Sequence, residues 1–253
     1  MSALPGGTAQ RTARLTALVD PPPVPDASAP TRERLLFAAR EVVEAGGYAG
    51  ASVAAIALRA GVANGTLYRH FGSKAELFVE VFRDVCGREV AAMRAAVDAA
   101  GDDHVERVLA PLDLFSRRAL QNRSLAWALL AEPVDALVDE VRLEYRRTYR
   151  ELLSGVLREA IAAGALPPQD PDLTAAGLVG AVGEALVGPV SAAPGPPTAT
   201  AGVPRRTAAD GAHGPAGEDG DPDDALLAEL DALCRRATGA AATVRADAPG
   251  QPR

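Results

Sequence analysis

The sequence predicts an all-α protein of about nine helices. Apolar residues recur at helical spacing through almost all of residues 31–189 and 223–238, and no segment shows the strict alternation of a half-buried strand. Glycine and proline clusters separate the apolar segments where helices are expected to end. Apolar residues make up 48% of the 253 positions, which is enough to build a sizeable core.

The predicted helices follow one another with short connections. The first has an apolar stripe that includes Leu35 and Val43, and Gly46-Gly47 is expected to end it. Later boundaries are predicted at Pro133 and at residues 164–168. The helices are predicted at residues 31–45, 52–59, 63–70, 74–99, 103–121, 123–131, 134–163, 172–189 and 223–238. The acidic residues that flank Pro133 are expected to form a solvated helix start, and they are Glu132, Asp135, Asp139 and Glu140.

Three segments are predicted to be disordered, because small residues, proline and glycine replace large apolar side chains there. Residues 1–30 end in a proline-rich run and form an N-terminal tail. The 31 residues 191–221 hold 5 prolines and 6 glycines, and they form a loop longer than compact domains normally contain. Residues 239–253 are predicted to form a second tail.

The charge and cysteine content narrow the class of protein. The 26 basic and 33 acidic side chains give a formal charge of −7, which argues against a histone-like coating of nucleic acid. A local basic surface is expected at residues 31–83, where 7 basic and 5 acidic residues give a charge of +2. Two cysteines are too few for a disulfide framework. No signal peptide is visible, and the longest strictly apolar run is residues 125–131, so a cytoplasmic protein without a membrane partner is expected.

The most informative segment is residues 51–74, which predicts two short helices separated by Ala60-Gly61-Val62. Ile56 would be buried on the first helix, and Leu67 and Phe71 on the second. The glycine supplies a turn conformation that a bulkier residue resists. The pattern is typical of a helix-turn-helix, whose second helix enters the major groove of DNA.

The second of these helices presents side chains that suit DNA. Asn64 can make paired hydrogen bonds to an adenine edge, and Thr66 can donate to a phosphate or touch a thymine methyl group. Tyr68 offers a hydroxyl group to phosphate and a ring to sugar or base. Lys74 begins the next helix, where the ammonium group and free backbone N–H groups can hold the same phosphate.

The run Gly61-Val62, Gly65-Thr66-Leu67-Tyr68-Arg69-His70-Phe71-Gly72-Ser73-Lys74-Ala75-Glu76-Leu77 resembles the signature of the tetracycline-repressor-like (TetR) transcriptional regulators. The match covers residues 31–80 in fixed register. The resemblance implies a helix-turn-helix DNA-binding domain at residues 31–76 and a larger helical ligand-binding and dimerisation domain at residues 77–238. The predicted DNA-binding residues, with Ser52 added by resemblance, are Ser52, Asn64, Gly65, Thr66, Tyr68, Arg69, His70 and Lys74.

Two positions depart from the family pattern. Ala63 stands where a capping serine is usual, and Ala55 stands where a capping-box glutamate would follow Ser52. The helix-turn-helix could also be purely structural. In that case Tyr68 would be a half-buried packing residue and Lys74 an ordinary solvated charge.

The helices after residue 84 carry no spacing typical of catalysis or metal binding, so the chain is not expected to be an enzyme or to hold a cofactor. The resemblance implies a pocket for a small apolar or amphipathic ligand between the central helices. Large apolar and aromatic residues supply the candidates, and core packing is the alternative for each. The predicted ligand-binding residues are Phe115, Arg118, Trp127, Tyr145 and Tyr149.

Two C-terminal helices suggest an interface between subunits. Residues 172–189 include Gly177, Gly180 and Gly183, and several glycines within one helix indicate the close approach of another helix. Residues 225–234 form an amphipathic helix that could be the partner. The resemblance implies that these helices from two subunits form a four-helix interface, and packing within one chain is the alternative.

These features predict a homodimeric transcriptional regulator, most simply a repressor that a small inducer releases from a palindromic operator in double-stranded DNA. Two recognition helices about 34 Å apart would read such a palindrome. One alternative is a ligand-independent DNA-binding activator or architectural protein of the same fold. The other is a helical interaction protein that does not bind DNA, and salt-sensitive DNA binding would argue against it.

Overall fold

The computed structural model describes residues 24–26, 28–191 and 221–240, and these residues form nine helices and no strand. The predicted all-α fold is confirmed, and most helix ends lie close to the predicted ones. We label the helices α1 (Thr31–Gly50), α2 (Val53–Ala60), α3 (Asn64–His70), α4 (Lys74–Ala99), α5 (His104–Gln121), α6 (Arg123–Leu130), α7 (Ala136–Ala162), α8 (Pro171–Ser191) and α9 (Pro222–Thr238). The three segments that were predicted to be disordered lie almost entirely outside the described residues.

Helices α1 to α4 pack around a core of large apolar side chains. Leu35, Ile56, Leu67 and Phe78 have no solvent exposure, because the apolar stripe of each helix turns toward the others. The same cluster continues into the later helices through Leu125, Ala128, Val138 and Val141. Helices α1 and α4, which flank the helix-turn-helix, therefore pack on α6 and α7.

The predicted end of the first helical segment at two glycines is confirmed. Gly46 and Gly47 have non-helical backbone angles, and they separate that segment from a short helical turn that ends at Gly50. Gly47 has φ +71° and ψ 179°, a combination that is essentially restricted to glycine. A Cβ atom at Gly47 would also lie 3.0 Å from both carboxylate oxygens of Glu132.

Glu132 is buried, with 6% of its surface exposed, so the prediction of a solvated helix start was wrong for this residue. Its carboxylate accepts hydrogen bonds from the backbone N–H groups of Tyr48, at 2.7 Å, and Ala49, at 2.8 Å. These amides follow the interruption in α1 and would otherwise lack acceptors in a partly buried site. The prediction failed because it considered only neighbouring residues, whereas the amides that bind Glu132 lie more than eighty residues away along the chain.

A second core lies among α5, α7, α8 and α9. Leu153, Leu157 and Leu186 have no exposure there, and Leu178 is 2% exposed. The amphipathic helix α9 adds Leu227, Leu230 and Cys234 to this cluster. The two C-terminal helices therefore pack within this chain, and they also carry surface that faces outward.

Helix α8 is apolar on its exposed face as well as on its buried face. Among the described helices it alone is long and apolar enough to cross a membrane by length and composition, with a mean hydropathy of 1.6. One face is a core face, with Ala175, Val182 and Leu186 buried. The opposite side exposes 72% of Leu173 and has open space around Gly177. An apolar helix with one uncovered face is typical of a helix that packs against a partner.

Replacing Glu132 with alanine is expected to lower the free energy of unfolding by about 2–4 kcal/mol, because two partly buried backbone donors lose charge-assisted hydrogen bonds. Urea denaturation followed by circular dichroism, at one fixed protein concentration, measures the change. Glu140→Ala is the matched control, since Glu140 is exposed on α7 and makes no ion pair with the described residues. A Glu132→Ala protein as stable as the control would show that the carboxylate does not hold α1.

Candidate nucleic-acid interface and ligand cavity

The turn between α2 and α3 is built by Gly61. This residue adopts the left-handed conformation (φ 65°, ψ 40°), and the turn is closed by hydrogen bonds from Gly61 N–H to the Leu58 carbonyl and from Val62 N–H to the Ala57 carbonyl. Arg34 of α1 donates from Nη2 to the carbonyl oxygens of Ala60 and Gly61. The guanidinium group thus ties α1 to the turn and sets the direction in which α3 leaves it.

Helix α3 divides into a buried face and a polar face. Leu67 is fully buried and Phe71, which follows the helix, is 3% exposed, whereas Tyr68 exposes 56% of its surface. Thr66 is half-buried, and its hydroxyl oxygen accepts a hydrogen bond from Arg69 Nη2 at 3.1 Å. The other predicted DNA-binding residues of this helix are exposed, and they are Asn64, Gly65, Arg69 and His70.

The side-chain caps at the starts of α2, α3 and α4 agree with the capping residues present in the sequence. The Ser52 hydroxyl oxygen accepts from the Ala55 N–H at 3.1 Å and caps α2, which gives Ser52 a structural role beside its predicted contact with DNA. Ala63 precedes α3 and provides no side-chain cap, as expected from the missing serine. Ser73 caps α4 by accepting from the Glu76 N–H, while the Glu76 carboxylate accepts from the Gly72 N–H.

Lys74 does not point outward from α4 in this structure. Its Nζ atom donates to the Tyr48 carbonyl oxygen at 3.2 Å and lies 4.5 Å from the centre of the Tyr48 ring and 5.5 Å from that of Phe78. Burial lowers the pKa of Lys74, while the nearby charge of Glu132 opposes that shift. The residue lies at the junction of α1 and α4, so a contact with DNA phosphate requires a different side-chain rotamer.

The positive charge of the helix-turn-helix surface is concentrated near α3. Arg59 is paired with Glu41 at 2.6 Å, and Arg32 is paired with Glu80. Arg69 makes no ion pair with a carboxylate among the described residues. Arg69 therefore keeps its charge available on the exposed side of the second helix.

A cavity of about 780 Å³ lies behind this surface, between α1 and helices α4 to α8. Four of the predicted ligand-binding residues line it, namely Phe115, Arg118, Tyr145 and Tyr149. The Phe115 and Tyr149 rings are 5.9 Å apart, and those of Tyr145 and Tyr149 are 6.4 Å apart. The sequence therefore located most of the aromatic part of the cavity wall.

Trp127 is absent from the lining of this cavity, which argues against the ligand role predicted for it. The indole packs against the second core on another face of the short helix α6, whereas Leu125, Ala126 and Leu129 of the same helix line the cavity. The number of large apolar residues identified the region of the cavity. Spacing alone could not show which face of the eight-residue helix α6 turns toward the cavity.

The polar groups of the cavity were mostly missed by sequence reasoning. Glu89 accepts from Arg118 Nε at 2.7 Å, and burial raises the pKa of the Glu89 carboxyl. Burial also lowers the pKa of the Arg142 guanidinium group, which lines the same cavity. Isolated charged residues inside long amphipathic helices give no sequence signal, because most such residues are solvated.

The Cys86 thiol, which also lines the cavity, is poorly suited to nucleophilic or redox chemistry. The residue is 5% exposed, and burial raises the pKa of the thiol to about 12. At neutral pH almost no thiolate is present, and the thiolate is the reactive form. Within the described residues no cluster of three His, Cys, Asp or Glu side chains could hold a metal ion.

Comparison with known proteins gives a consistent result. Residues 35–81 match the family described as bacterial regulatory proteins, tetR family. The HTH-type transcriptional regulator UidR of Escherichia coli is 29% identical over 140 residues, which are 55% of this chain and 70% of that protein. The HTH-type transcriptional activator FasR of Mycolicibacterium smegmatis is 38% identical over 84 residues, which are 33% of this chain and 38% of that protein.

The similarity to solved structures extends beyond the helix-turn-helix. The transcriptional regulator FadR from Bacillus subtilis, solved in complex with stearoyl-CoA, has a TM-score of 0.60 and 19% identity. The alignment covers 83% of this chain and 99% of that chain, so the arrangement of the later helices is shared. The polar face of α3, the family match at residues 35–81 and the relatives together show that this chain carries a helix-turn-helix segment similar to that of the TetR-family transcriptional regulators.

Proposed function

We propose that the protein is a homodimeric repressor that binds an inverted-repeat operator through α3 and that a small apolar or amphipathic ligand in the cavity releases it from DNA. Residues 31–76 would bind DNA, and residues 77–238 would bind the ligand and form the dimer. The observation that carries this proposal is the polar, exposed face of α3 on a buried helix-turn-helix scaffold. Such a protein acts where the DNA is, in the cytoplasm of a bacterium.

The exposed face of α3 supports readout of the major groove. Asn64 and Gly65 at its start and Tyr68 in its middle are exposed, so the backbone and the side chains can approach base edges together. Arg69 and His70 lie where phosphate contacts are expected, and both can donate hydrogen bonds. The protein is acidic as a whole, so we expect specific contacts of this surface rather than total charge to provide affinity.

The uncovered surfaces of α8 and α9 support the dimer. Leu173 and Gly177 of α8 and Leu233 of α9 are exposed, and Leu233 exposes 37% of its surface although it lies on an otherwise amphipathic helix. Apolar exposure on two neighbouring helices is what a subunit interface would cover. A two-fold axis through these helices would present two copies of α3 to a palindrome.

The cavity supports a small-molecule inducer. A volume of about 780 Å³ falls in the range of ligand sites. Its lining comes from α1 and α4 as well as α5 to α8, so a molecule bound there would touch helices that belong to the helix-turn-helix core. The complex of Bacillus subtilis FadR with stearoyl-CoA supports a ligand with a long apolar portion in this fold. The ligand must prefer the state that cannot bind DNA, since equal affinity for both states shifts nothing.

Activation of transcription is the second candidate function. FasR of Mycolicibacterium smegmatis, which is similar over 84 residues, is a transcriptional activator. An activator of the same fold would bind DNA through the same surface, with or without a ligand. Transcription in a reconstituted system distinguishes a repressor from an activator, because a repressor lowers and an activator raises transcript yield. The template would carry an operator selected from random-sequence DNA with the wild-type protein.

Tyr68→Ala is expected to weaken operator binding about tenfold, or about 1.4 kcal/mol, because an exposed ring and hydroxyl group on α3 would be lost. An operator is first selected from random-sequence DNA with the wild-type protein. Fluorescence anisotropy at two salt concentrations then gives the dissociation constant of each protein.

Arg94→Ala is the control for this measurement. Arg94 is exposed on α4, makes no ion pair with the described residues, and lies 20 residues beyond Lys74, or about 30 Å along a helix. Its affinity is expected to match the wild type. Equal operator affinities for wild type and Tyr68→Ala would remove Tyr68 from the interface, and failure to select any operator would contradict DNA binding itself.

Gly177→Arg is expected to convert the dimer into a monomer. Open space surrounds the Cβ position in the protomer, so the arginine can be accommodated there, but it would place a charge within the proposed interface. Light scattering after size-exclusion chromatography should give twice the 26.0 kDa chain mass for the wild type and one chain mass for the variant.

Gly155→Arg on α7 is the matched control, because Gly155 is also helical with open space around its Cβ position. We expect this variant to remain a dimer. A dimeric Gly177→Arg protein would place the subunit interface elsewhere.

A further inference from the structure

The cavity reaches the protein surface along one face of α7. Four residues of this helix that line the cavity are spaced at i, i+3, i+4 and i+7, so they share one face, and they are Leu143, Arg146, Arg147 and Arg150. All four are exposed, and Leu143 exposes 52% of its surface. Exposed residues that line a cavity mark its opening, which therefore lies along this face of α7.

The three arginines of this face, which we call the rim arginines, form no ion pair with the described residues. Most other arginines in the described ranges pair with a carboxylate. Arg147 and Arg150 also make no hydrogen bond there, and Arg146 has only a long contact of 3.5 Å with the Leu130 carbonyl oxygen. Four residues of helix rise by about 6 Å, so the three guanidinium groups can reach one bound group together.

Charged groups deeper in the cavity wall are already occupied by partners within the chain. Arg118 donates to Glu89 at 2.7 Å, and the Arg142 guanidinium group donates to the Asp139 carboxylate and to two backbone carbonyl oxygens. A charged ligand group placed among them would lose its hydration without gaining accessible donors. A negative head group is therefore expected at the rim, where the guanidinium groups are exposed and can turn toward it.

The acids around the opening leave it positively charged. Glu184 of α8 is exposed, lines the cavity and forms no ion pair with the described residues. Glu144 and Glu151 of α7 do not line the cavity, and Glu144 is paired with Arg83 at 3.5 Å. The three rim arginines therefore outnumber the one carboxylate of the opening, although the whole chain has a formal charge of −7. Such a local surplus of positive charge favours a negative ligand.

The wall beneath the rim is apolar. Side chains from α4, α5 and α6 form this part, and they include Phe82, Met93, Leu112, Phe115 and Leu125. Three guanidinium groups supply more N–H donors than one carboxylate can accept, whereas a phosphate group has three strong acceptor oxygens and up to two negative charges. An apolar chamber with this rim suits a molecule that has a hydrocarbon body and a phosphate head group.

We propose that the cavity binds an amphipathic phosphate, whose apolar body fills the chamber while its phosphate group stays at the opening and accepts hydrogen bonds from the rim arginines. This inference rests on the proposed function and names the ligand class of its cavity. Arg147 lies between Leu143 and Arg150 on the shared face and is the central contact of the head group. Because the contact lies at the surface, salt weakens it.

The test compares decyl phosphate with 1-decanol and decanoic acid, each below the concentration at which it aggregates, and with inorganic phosphate. Isothermal titration calorimetry on the full chain is expected to give an affinity at least about tenfold higher for decyl phosphate than for 1-decanol, with decanoic acid between them and inorganic phosphate weaker than all three.

Each alternative result overturns one part of the proposal. Equal affinities for decyl phosphate and 1-decanol, or binding of neither, would overturn it entirely. Decanoic acid that binds as tightly as decyl phosphate would overturn the assignment to phosphate. Inorganic phosphate that binds as tightly as decyl phosphate would overturn the role of the apolar chamber.

Salt distinguishes a head group at the rim from one inside the cavity. Raising the sodium chloride concentration from about 0.05 M to about 0.5 M is expected to lower the preference for decyl phosphate over 1-decanol at least about threefold, because interactions between exposed charges are screened. A preference that salt does not change would place the head group away from the rim and would overturn the proposal.

Variants locate the head group. Arg147→Gln is expected to lower the preference about threefold, and replacement of all three rim arginines by glutamine is expected to remove it. These side chains are exposed, so circular dichroism should show an unchanged fold. Arg94→Gln is the matched control and should keep the full preference, since Arg94 is exposed on α4 and does not line the cavity. A full preference in the triple variant would overturn the assignment to the rim arginines.

Failure of this inference can be distinguished from failure of the proposed function. If an operator is selected and 1-decanol binds as well as decyl phosphate, the phosphate class fails while DNA binding and an apolar ligand stand. If no operator is selected, the proposed function fails, and the preference measured by calorimetry still decides whether the rim binds phosphate.

Discussion

The carboxylate of Glu132 joins two parts of the chain, the end of α1 and the segment before α7, that also meet through apolar contacts. It accepts two backbone hydrogen bonds from the last turn of α1, at the point where Gly46 and Gly47 interrupt the helix. The interruption and the acid depend on each other, because a Cβ atom at Gly47 would crowd the carboxylate oxygens at 3.0 Å. Removing the carboxylate leaves unpaired backbone donors in a partly buried site.

The position of α1 in turn sets the position of α3. Arg34 of α1 binds the turn before α3, and Tyr48 packs its ring against Phe78 at 4.8 Å while its carbonyl oxygen holds Lys74. Helix α4 then runs from this junction to the cavity, where Phe82, Val85 and Glu89 form part of the wall. One rigid helix therefore belongs to both the helix-turn-helix core and the cavity, which is the arrangement that regulation by a bound ligand needs.

Most of the exposed face of α3 could be predicted, because a seven-residue helix beside a glycine turn leaves few choices for its buried side, and the half-buried Thr66 is the exception. Leu67 and Phe71 are buried and Tyr68 is exposed, as the spacing indicates. The cavity was predicted less well. Aromatic residues on long helices marked its region correctly, but Trp127 lies on the wrong face of α6, and the charged groups Glu89 and Arg142 were missed because burial of a charge depends on distant partners.

The sequence by itself determined the nine helices and the helix-turn-helix, since both follow from local features: apolar spacing, capping residues and a glycine that permits the left-handed turn. Only the tertiary structure decided which polar residues are buried and what they bind. Glu132 reads locally as one more acid at a helix start, and Lys74 as a free cation, yet both point into the junction between α1 and the later helices. Their roles depend on contacts between residues far apart in the chain, and such contacts exist only after the helices have packed.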